Sequence, residues 1–341
     1  MSSVGGVITL VLVFALFNAR RAAAENGSGR PSTEDYITQY RINADRYRVT
    51  TVDGYRLTLF RLKPLVTVRA VALLQHGNRQ TSADWLILNS NLPLQLLSNG
   101  VEVWLANSRL SSESSGHTSI KNTSAEFWNF SFHEIGYYDL ASMVDAVLSI
   151  SKQKRLHLIG YSEGSTAALI LLAERPEYGA KVISLNLMAP AAFMGHSTYK
   201  PIAQTLTNVR LFAPWLYAQL HVNNYVNGST RKQLEHYGQL ILSGRFRQYD
   251  YGSRLNKQMY GSEQPPDYPL NRITTPTVLH YGDLDSVVHP MDVKQLGQEL
   301  GRTTSVQVIG YETLQHTDFL SRKIAAQQVY PNIVKNVAKY R

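Results

Sequence analysis

Arg155-Leu156-His157-Leu158-Ile159-Gly160-Tyr161-Ser162-Glu163-Gly164-Ser165-Thr166-Ala167-Ala168-Leu169-Ile170-Leu171-Leu172-Ala173-Glu174-Arg175 decides how this chain is read. Its first five residues form a short apolar strand. The segment from Ser165 reads as a helix that Pro176 stops, because proline lacks the N–H that a helix interior needs. Ser162 therefore lies on a sharp turn between a buried strand and a helix. Such a turn lifts a serine hydroxyl clear of the sheet edge, as a nucleophile elbow does. Gly160 and Gly164 have a steric role on either side, since a larger residue would collide with the neighbouring strand and helix. The pattern makes Ser162 a candidate nucleophile.

A serine hydroxyl attacks poorly unless a base takes its proton and an acid orients that base. The required partners occur further along the chain, in the order that the elbow architecture demands. Asp285 follows the strand candidate Thr277-Val278-Leu279-His280-Tyr281. His316 follows the strand candidate Ser305 to Tyr311. Taken singly, Asp285 reads as a helix cap and His316 as an ordinary loop residue. Three residues in sequence order, each after a strand, point to a triad. Asp283 is the competing acid, whereas His280 lies within a strand and His289 lies close to Asp285, so neither suits the base as well. A tetrahedral intermediate also needs two backbone N–H donors. Glu163, just after the nucleophile, and Asn78, just after His76-Gly77, are in place to supply them. His76 reads as a buried histidine supporting that loop.

The surrounding pattern is that of an α/β protein with a mostly parallel, doubly wound sheet. Arg46 to Leu62 reads as a β-hairpin turned by Asp53-Gly54. Ala70–Leu74, Val101–Leu105 and Val182–Leu187 are further strands. Helices are expected over Tyr138–Ser151 and Met291–Leu300, and in part over Trp85–Leu97 with a break at Pro93. Asn107 to His117 is a polar loop. Residues 191–272 interrupt the alternation with many Tyr, Phe, Trp and Arg, and read as an inserted helical cap. The core is then 25–190 together with 273–341. Phe212, Trp215 and Tyr217 of the cap either line an acyl pocket or pack its helices.

Length and composition set bounds. The 341 residues, 44% hydrophobic and 17% charged, suit one large domain with an insertion and exclude a disordered chain. Val4 to Phe17 is an apolar run leading to Ala22-Ala23-Ala24, which makes residues 1–24 a signal peptide, with an uncleaved anchor as the rival. No later segment approaches the roughly 20 apolar residues of a spanning helix. Secretory entry gives meaning to the Asn-x-Ser/Thr sites at Asn26, Asn122, Asn129 and Asn227 as glycosylation acceptors. The aromatic neighbours of Asn129 predict its partial burial. With no cysteine, there is neither a thiol nucleophile nor a disulfide. The formal net charge of +9 is scattered, with no basic block, which argues against nucleic acid as a partner.

Longer motifs carry a family resemblance. Leu74-Gln75-His76-Gly77, Val103 to Arg109 and Glu126-Phe127-Trp128-Asn129-Phe130-Ser131-Phe132-His133-Glu134-Ile135-Gly136 resemble the acid lipases, the gastric and lysosomal enzymes and their insect counterparts. Tyr249-Asp250-Tyr251-Gly252, Pro265-Pro266-x-Tyr268 and His316-x-Asp318-Phe319 match later motifs of that family. The resemblance implies an α/β-hydrolase fold with Ser162 as nucleophile, Asp285 as acid, His316 as base, and oxyanion donors at Asn78 and Glu163. It implies hydrolysis of water-insoluble acyl esters, such as triacylglycerols or sterol esters, at a lipid–water interface, without metal or organic cofactor. Secretion or a lysosomal destination fits it. A small-ester carboxylesterase and a non-catalytic lipid carrier are the alternatives. The chain departs from the family at Tyr161 and Glu163, where His and Gln are usual, at Asn78, where Leu is usual, and at Leu110-Ser111, where the family has Gly-Asn. Its cap is also shorter by some tens of residues.

Overall fold

The computed structural model describes residues 30–114, 116–212, 225–226 and 228–340. The expected leader (1–24), Asn26, Asn227, Trp215, Tyr217 and the side chain of Phe212 lie outside the described residues. Helix α1 (Thr33–Gln39) opens the described chain. Strands β1 (Ala44–Thr50) and β2 (Arg56–Leu62) form the expected hairpin. There follow β3 (Ala70–Gln75), α2 (Leu92–Ser98), β4 (Val101–Asn107), α3 (Ala141–Ser151), β5 (Leu156–Tyr161), α4 (Glu163–Glu174) and β6 (Val182–Met188).

Between β6 and the next sheet strand the chain leaves the sheet. It forms α5 (Lys200–Phe212), the two-residue strands β7 (Tyr225–Val226) and β8 (Ser229–Thr230), α6 (Arg231–Ser243) and α7 (Ser253–Tyr260). It returns as β9 (Thr277–Gly282), α8 (Pro290–Leu300), β10 (Val306–Tyr311) and the C-terminal α9 (Tyr330–Lys339).

Eight strands form one sheet in the order β1-β2-β4-β3-β5-β6-β9-β10. Only the β1–β2 and β2–β4 pairs are antiparallel. The pairs from β4 to β10 are parallel, and parallel strands need helical crossovers that cover both faces. The central strands are accordingly buried at every residue of β4, β5 and β9. One face packs α3, α4 and α8 around Leu73, Leu158, Leu185 and Leu279. The other packs α2 and α9 around Leu74, Leu105, Ile159 and Tyr161. Each such aliphatic side chain contributes about 1.5–3 kcal/mol on burial. Beyond its polar first turn, helix α4 is apolar all round from Ala167 to Ala173 because it lies inside, every residue from Glu163 to Ala173 being buried.

Three expectations need correction. Pro93 does not break a helix; it occupies the first turn of α2, where its missing N–H costs nothing, and Asn91 caps that helix by accepting from Leu94 N–H at 2.9 Å. Trp85 belongs to a separate 3₁₀ turn, Ser82–Leu86. Asn129 is exposed, because Phe127 and Phe130 take the buried positions around it. The polar loop after β4 starts inside the fold, with Ser108, Arg109 and Ser111 buried beside Asn107 at the end of the strand. Arg109 explains this: its guanidinium spans Asp53 (2.8 and 3.1 Å) and Asp139 (2.6 and 2.9 Å) and lies 3.9 Å from the centre of the Tyr55 ring. A charge buried with two carboxylates and an aromatic face keeps its solvation inside the fold.

Candidate active site

Strand β5 ends at Tyr161 and α4 begins at Glu163, so the whole reversal falls on Ser162. Its backbone sits at φ 51° and ψ −115°, a conformation that L-residues avoid. The turn is held by Ser162 N–H donating to Met188 O at 2.9 Å. It is possible only because of its neighbours. A Cβ on Gly164 would lie 2.2 Å from Gln75 O, and one on Gly160 would lie 2.6 Å from Ser165 N. The glycines thus let the elbow press against its own helix and against the end of β3.

The later loops bring the other two candidates to this serine. Ser162 Oγ and His316 Nε2 are 2.9 Å apart. His316 Nδ1 and Asp285 Oδ2 are 2.8 Å apart. Asp285 Oδ1 accepts the N–H groups of Val287 and Val288 at 2.9 and 2.8 Å. The carboxylate is therefore fixed by two backbone donors while its second oxygen receives Nδ1–H. That contact sets the imidazole tautomer and turns the Nε2 lone pair toward the serine. Asp285 also caps its own turn, so the bland and the chemical roles coexist.

Tyr161 holds the backbone of His316 by donating its hydroxyl to His316 O at 2.8 Å. The competing acid, Asp283, is exposed. His280 is buried within β9, with Nδ1 3.0 Å from the Tyr311 hydroxyl. His289 is the N-cap of α8.

The two residues expected to supply N–H donors are in contact through their side chains. Glu163 is the first residue of α4, where the N–H groups have no partner inside the helix and the dipole favours negative charge. Asn78 follows β3 by one turn, and its side-chain Nδ2 donates to Glu163 Oε2 at 2.8 Å. His76 supports this loop as expected. Its Nδ1–H donates to Gly77 O (2.8 Å), its Nε2 accepts from Ser108 N–H (3.2 Å), and burial pushes it down to about 4.

Glu163 is the surprise of the site. Its carboxyl is buried, and that burial pushes it up to about 7. Gln233 and Tyr237 of α6, far along the chain, bond to it beside Asn78. No local sequence signal marks either residue.

Buried histidines make a pH prediction. Burial lowers His76 to about 4, and His236 and His280 to about 3. Below pH 6.5 the unfolded chain takes up these protons while the folded chain does not, so stability falls as pH drops toward 4. Glu163 acts in the opposite sense, because the folded chain holds its proton between about 7 and 4.5. Three groups outweigh one. The melting temperature is expected to fall by roughly 5–10 °C between pH 7 and 4.5. A thermal-shift series showing a flat or rising Tm over that range would contradict these histidines being buried and neutral.

Among the described residues no cluster of three or more His, Asp or Glu could hold a metal ion. None of the described helices is long and apolar enough to cross a membrane.

Residues 72–323 match the family profile described as the alpha/beta hydrolase fold, and residues 33–89 match that of a partial alpha/beta-hydrolase lipase region. The chain belongs to the α/β-hydrolase family, on its acid-lipase branch. Lipase 3 of Drosophila melanogaster is 30% identical to it, over 87% of this chain and 90% of that protein. Gastric triacylglycerol lipase of Mus musculus is 26% identical, over 92% and 93% respectively. Among solved structures, an esterase of Pyrococcus furiosus superposes with a TM-score of 0.57 at 14% identity, covering 92% of this chain and 97% of its own; that likeness speaks for the fold alone. The family read from the tryptophan-containing motifs and the α/β-hydrolase fold read from the elbow are thus both borne out.

Proposed function

We propose that this chain is a serine ester hydrolase of the lipase type, cleaving the acyl esters of neutral lipids such as triacylglycerols or sterol esters. Ser162 Oγ attacks the ester carbonyl while His316 Nε2 takes its proton. Asp285 holds the imidazole in the required tautomer and offsets the imidazolium charge. The N–H groups of Asn78 and Glu163 receive the oxyanion. His316 then returns the proton to the departing alcohol, leaving an acyl-enzyme that water hydrolyses by the same steps in reverse order. Every step uses groups of the chain itself. Residues 191–272 act as a cap over the site, and they contribute α6, whose Gln233 and Tyr237 bond to Glu163 beside the elbow. The apolar leader and the exposed Asn122 and Asn129 support secretion with glycosylation.

The observation that carries this reading is the Ser162–His316–Asp285 relay, 2.9 and 2.8 Å, set on a strained elbow in a chain of a lipase family. The test is expression in cultured eukaryotic cells and assay of the protein recovered from the medium. Substrates are p-nitrophenyl esters of rising chain length in solution, and emulsified triolein and cholesteryl oleate. A lipase is expected to favour the emulsions, to carry an endoglycosidase-sensitive mass and to be labelled at Ser162 by a fluorophosphonate. Activity confined to short soluble esters would make it a carboxylesterase. Lipid binding without hydrolysis or labelling would make it a carrier and end the enzymatic reading.

A further inference from the structure

Burying a carboxylate beside a site that must stabilise negative charge is costly, so the surroundings of Glu163 need a reason. Every group bonded to it is a donor. Asn78 Nδ2 (2.8 Å) and the Tyr237 hydroxyl (3.0 Å) reach Oε2, and Gln233 Nε2 reaches both oxygens (3.1 and 3.0 Å). The far ends of the amides are also engaged. Gln233 Oε1 accepts Thr230 N–H at 2.9 Å, closing the capping box of α6, and a backbone N–H can only donate. Gln233 is thereby locked with its Nε2 toward Glu163. Asn78 Oδ1 takes the Ser229 hydroxyl at 3.1 Å, which holds Nδ2 toward the same carboxylate. Thr230 Oγ1, completing the box, accepts Gln233 N–H at 3.0 Å and donates to Phe130 O at 2.6 Å.

The geometry points to the Glu163 carboxylate as a positioning group that fixes Asn78 and the start of α6 against the elbow through a one-way ring of hydrogen bonds. The inference rests on the proposed function, because Asn78 and Glu163 are the residues whose N–H groups receive the oxyanion there. A carboxylate offers acceptors to all three donors at once. A neutral amide at 163 offers one acceptor oxygen and turns an NH₂ on the NH₂ of Gln233. Gln233 can relieve that conflict only by rotating, which presents its NH₂ to Thr230 N–H and opens the cap of α6. The residue that the related lipases usually carry at this position is thus the wrong one for this chain.

The ring can be rebuilt with the charge on the other side. In Glu163→Gln combined with Gln233→Glu, the amide oxygen at 163 accepts from Asn78 and Tyr237. Its NH₂ donates to the carboxylate at 233, which still accepts Thr230 N–H. Gln233→Glu alone sets two carboxylates about 3 Å apart and fails for the opposite reason. The experiment measures kcat, KM and Tm on a soluble short-chain ester at pH 8, above the value near 7 to which burial raises Glu163.

Each single variant is expected to lose about tenfold in kcat with KM changed less than about twofold. The double variant is expected to recover to within about threefold of the wild type. Tyr237→Phe, which deletes one donor and keeps the ring's shape, should lose about threefold. An unchanged or faster Glu163→Gln, or a double variant no better than the worse single one, would overturn the role. So would singles that lower Tm and recover it in the double while kcat never moves, for that is a purely structural ring. A wild type without esterase activity would instead overturn the proposed function. The Tm coupling between 163 and 233 would still report whether the ring exists.

Discussion

Ser162→Ala is expected to lower kcat for ester hydrolysis on the order of 10⁶-fold while leaving the fold intact. In the proposed reaction the hydroxyl oxygen is the attacking atom, and it lies 2.9 Å from His316 Nε2, so alanine removes the nucleophile and little else. The strained φ of 51° is tolerated equally, because serine and alanine both carry a Cβ. The N–H to Met188 O and the carbonyl that accepts from Ser165 and Thr166 are backbone groups and remain. Tm should therefore stay within about 2 °C, since no core volume is lost. Residual hydrolysis from the oxyanion donors and substrate binding sets the floor. An alanine variant that keeps more than a tenth of the wild-type rate would remove Ser162 from the mechanism.

Asp285→Asn should cost about 10⁴-fold in kcat through the tautomer of His316. The carboxylate's two oxygens face different partners: Oδ1 takes the N–H groups of Val287 and Val288, and Oδ2 takes His316 Nδ1. An amide in this place must keep its oxygen on the two backbone donors. Its NH₂ then faces Nδ1, which has to become an acceptor, and the ring's proton moves to Nε2. From there it blocks the transfer from Ser162. Asp283→Asn, on an exposed carboxylate, should leave the rate within about twofold. Measuring kcat for both variants on one soluble ester separates the two acids. Equal losses at 283 and 285, or a loss at 283 alone, would reverse the assignment.

Much of this site was legible beforehand, for identifiable reasons. An elbow announces itself locally, because a strand, a tight turn and a helix must follow one another within a few residues, and close approach demands glycine at fixed places. Asp285 and His316 could be found because sites in a parallel sheet gather beyond strand C-termini. The strands themselves could be recognised from their apolar runs. Asn78 emerged by the same logic from the end of β3.

The misreadings were also physical. Pro93 was expected to interrupt a helix, yet proline is equally at home in a first turn, and only the hydrogen bond from Leu94 N–H to Asn91 shows which applies. The aromatic neighbours of Asn129 predicted its partial burial, but Phe127 and Phe130 take the buried positions and leave Asn129 exposed. The polar stretch after β4 is a loop, as read, but the burial of its first residues has no signature in the sequence. Nothing near Arg109 in sequence discloses that Asp53 and Asp139 will meet it inside.

By itself, the sequence determined the order of elements, the strand-to-helix turn that carries Ser162 and the order in which Asp285 and His316 follow it. Each of these depends on interactions within a few residues or on the rule that loops follow strands. The tertiary structure alone decided which residues surround Tyr161 and Glu163, two of the positions read from the sequence as departures from the family pattern. Tyr161 reaches the backbone of His316, and Glu163 is bound by Gln233 and Tyr237. These partners lie distant along the chain and close in space. A hydrogen bond has no signature in sequence until folding sets its donor within 3 Å of its acceptor.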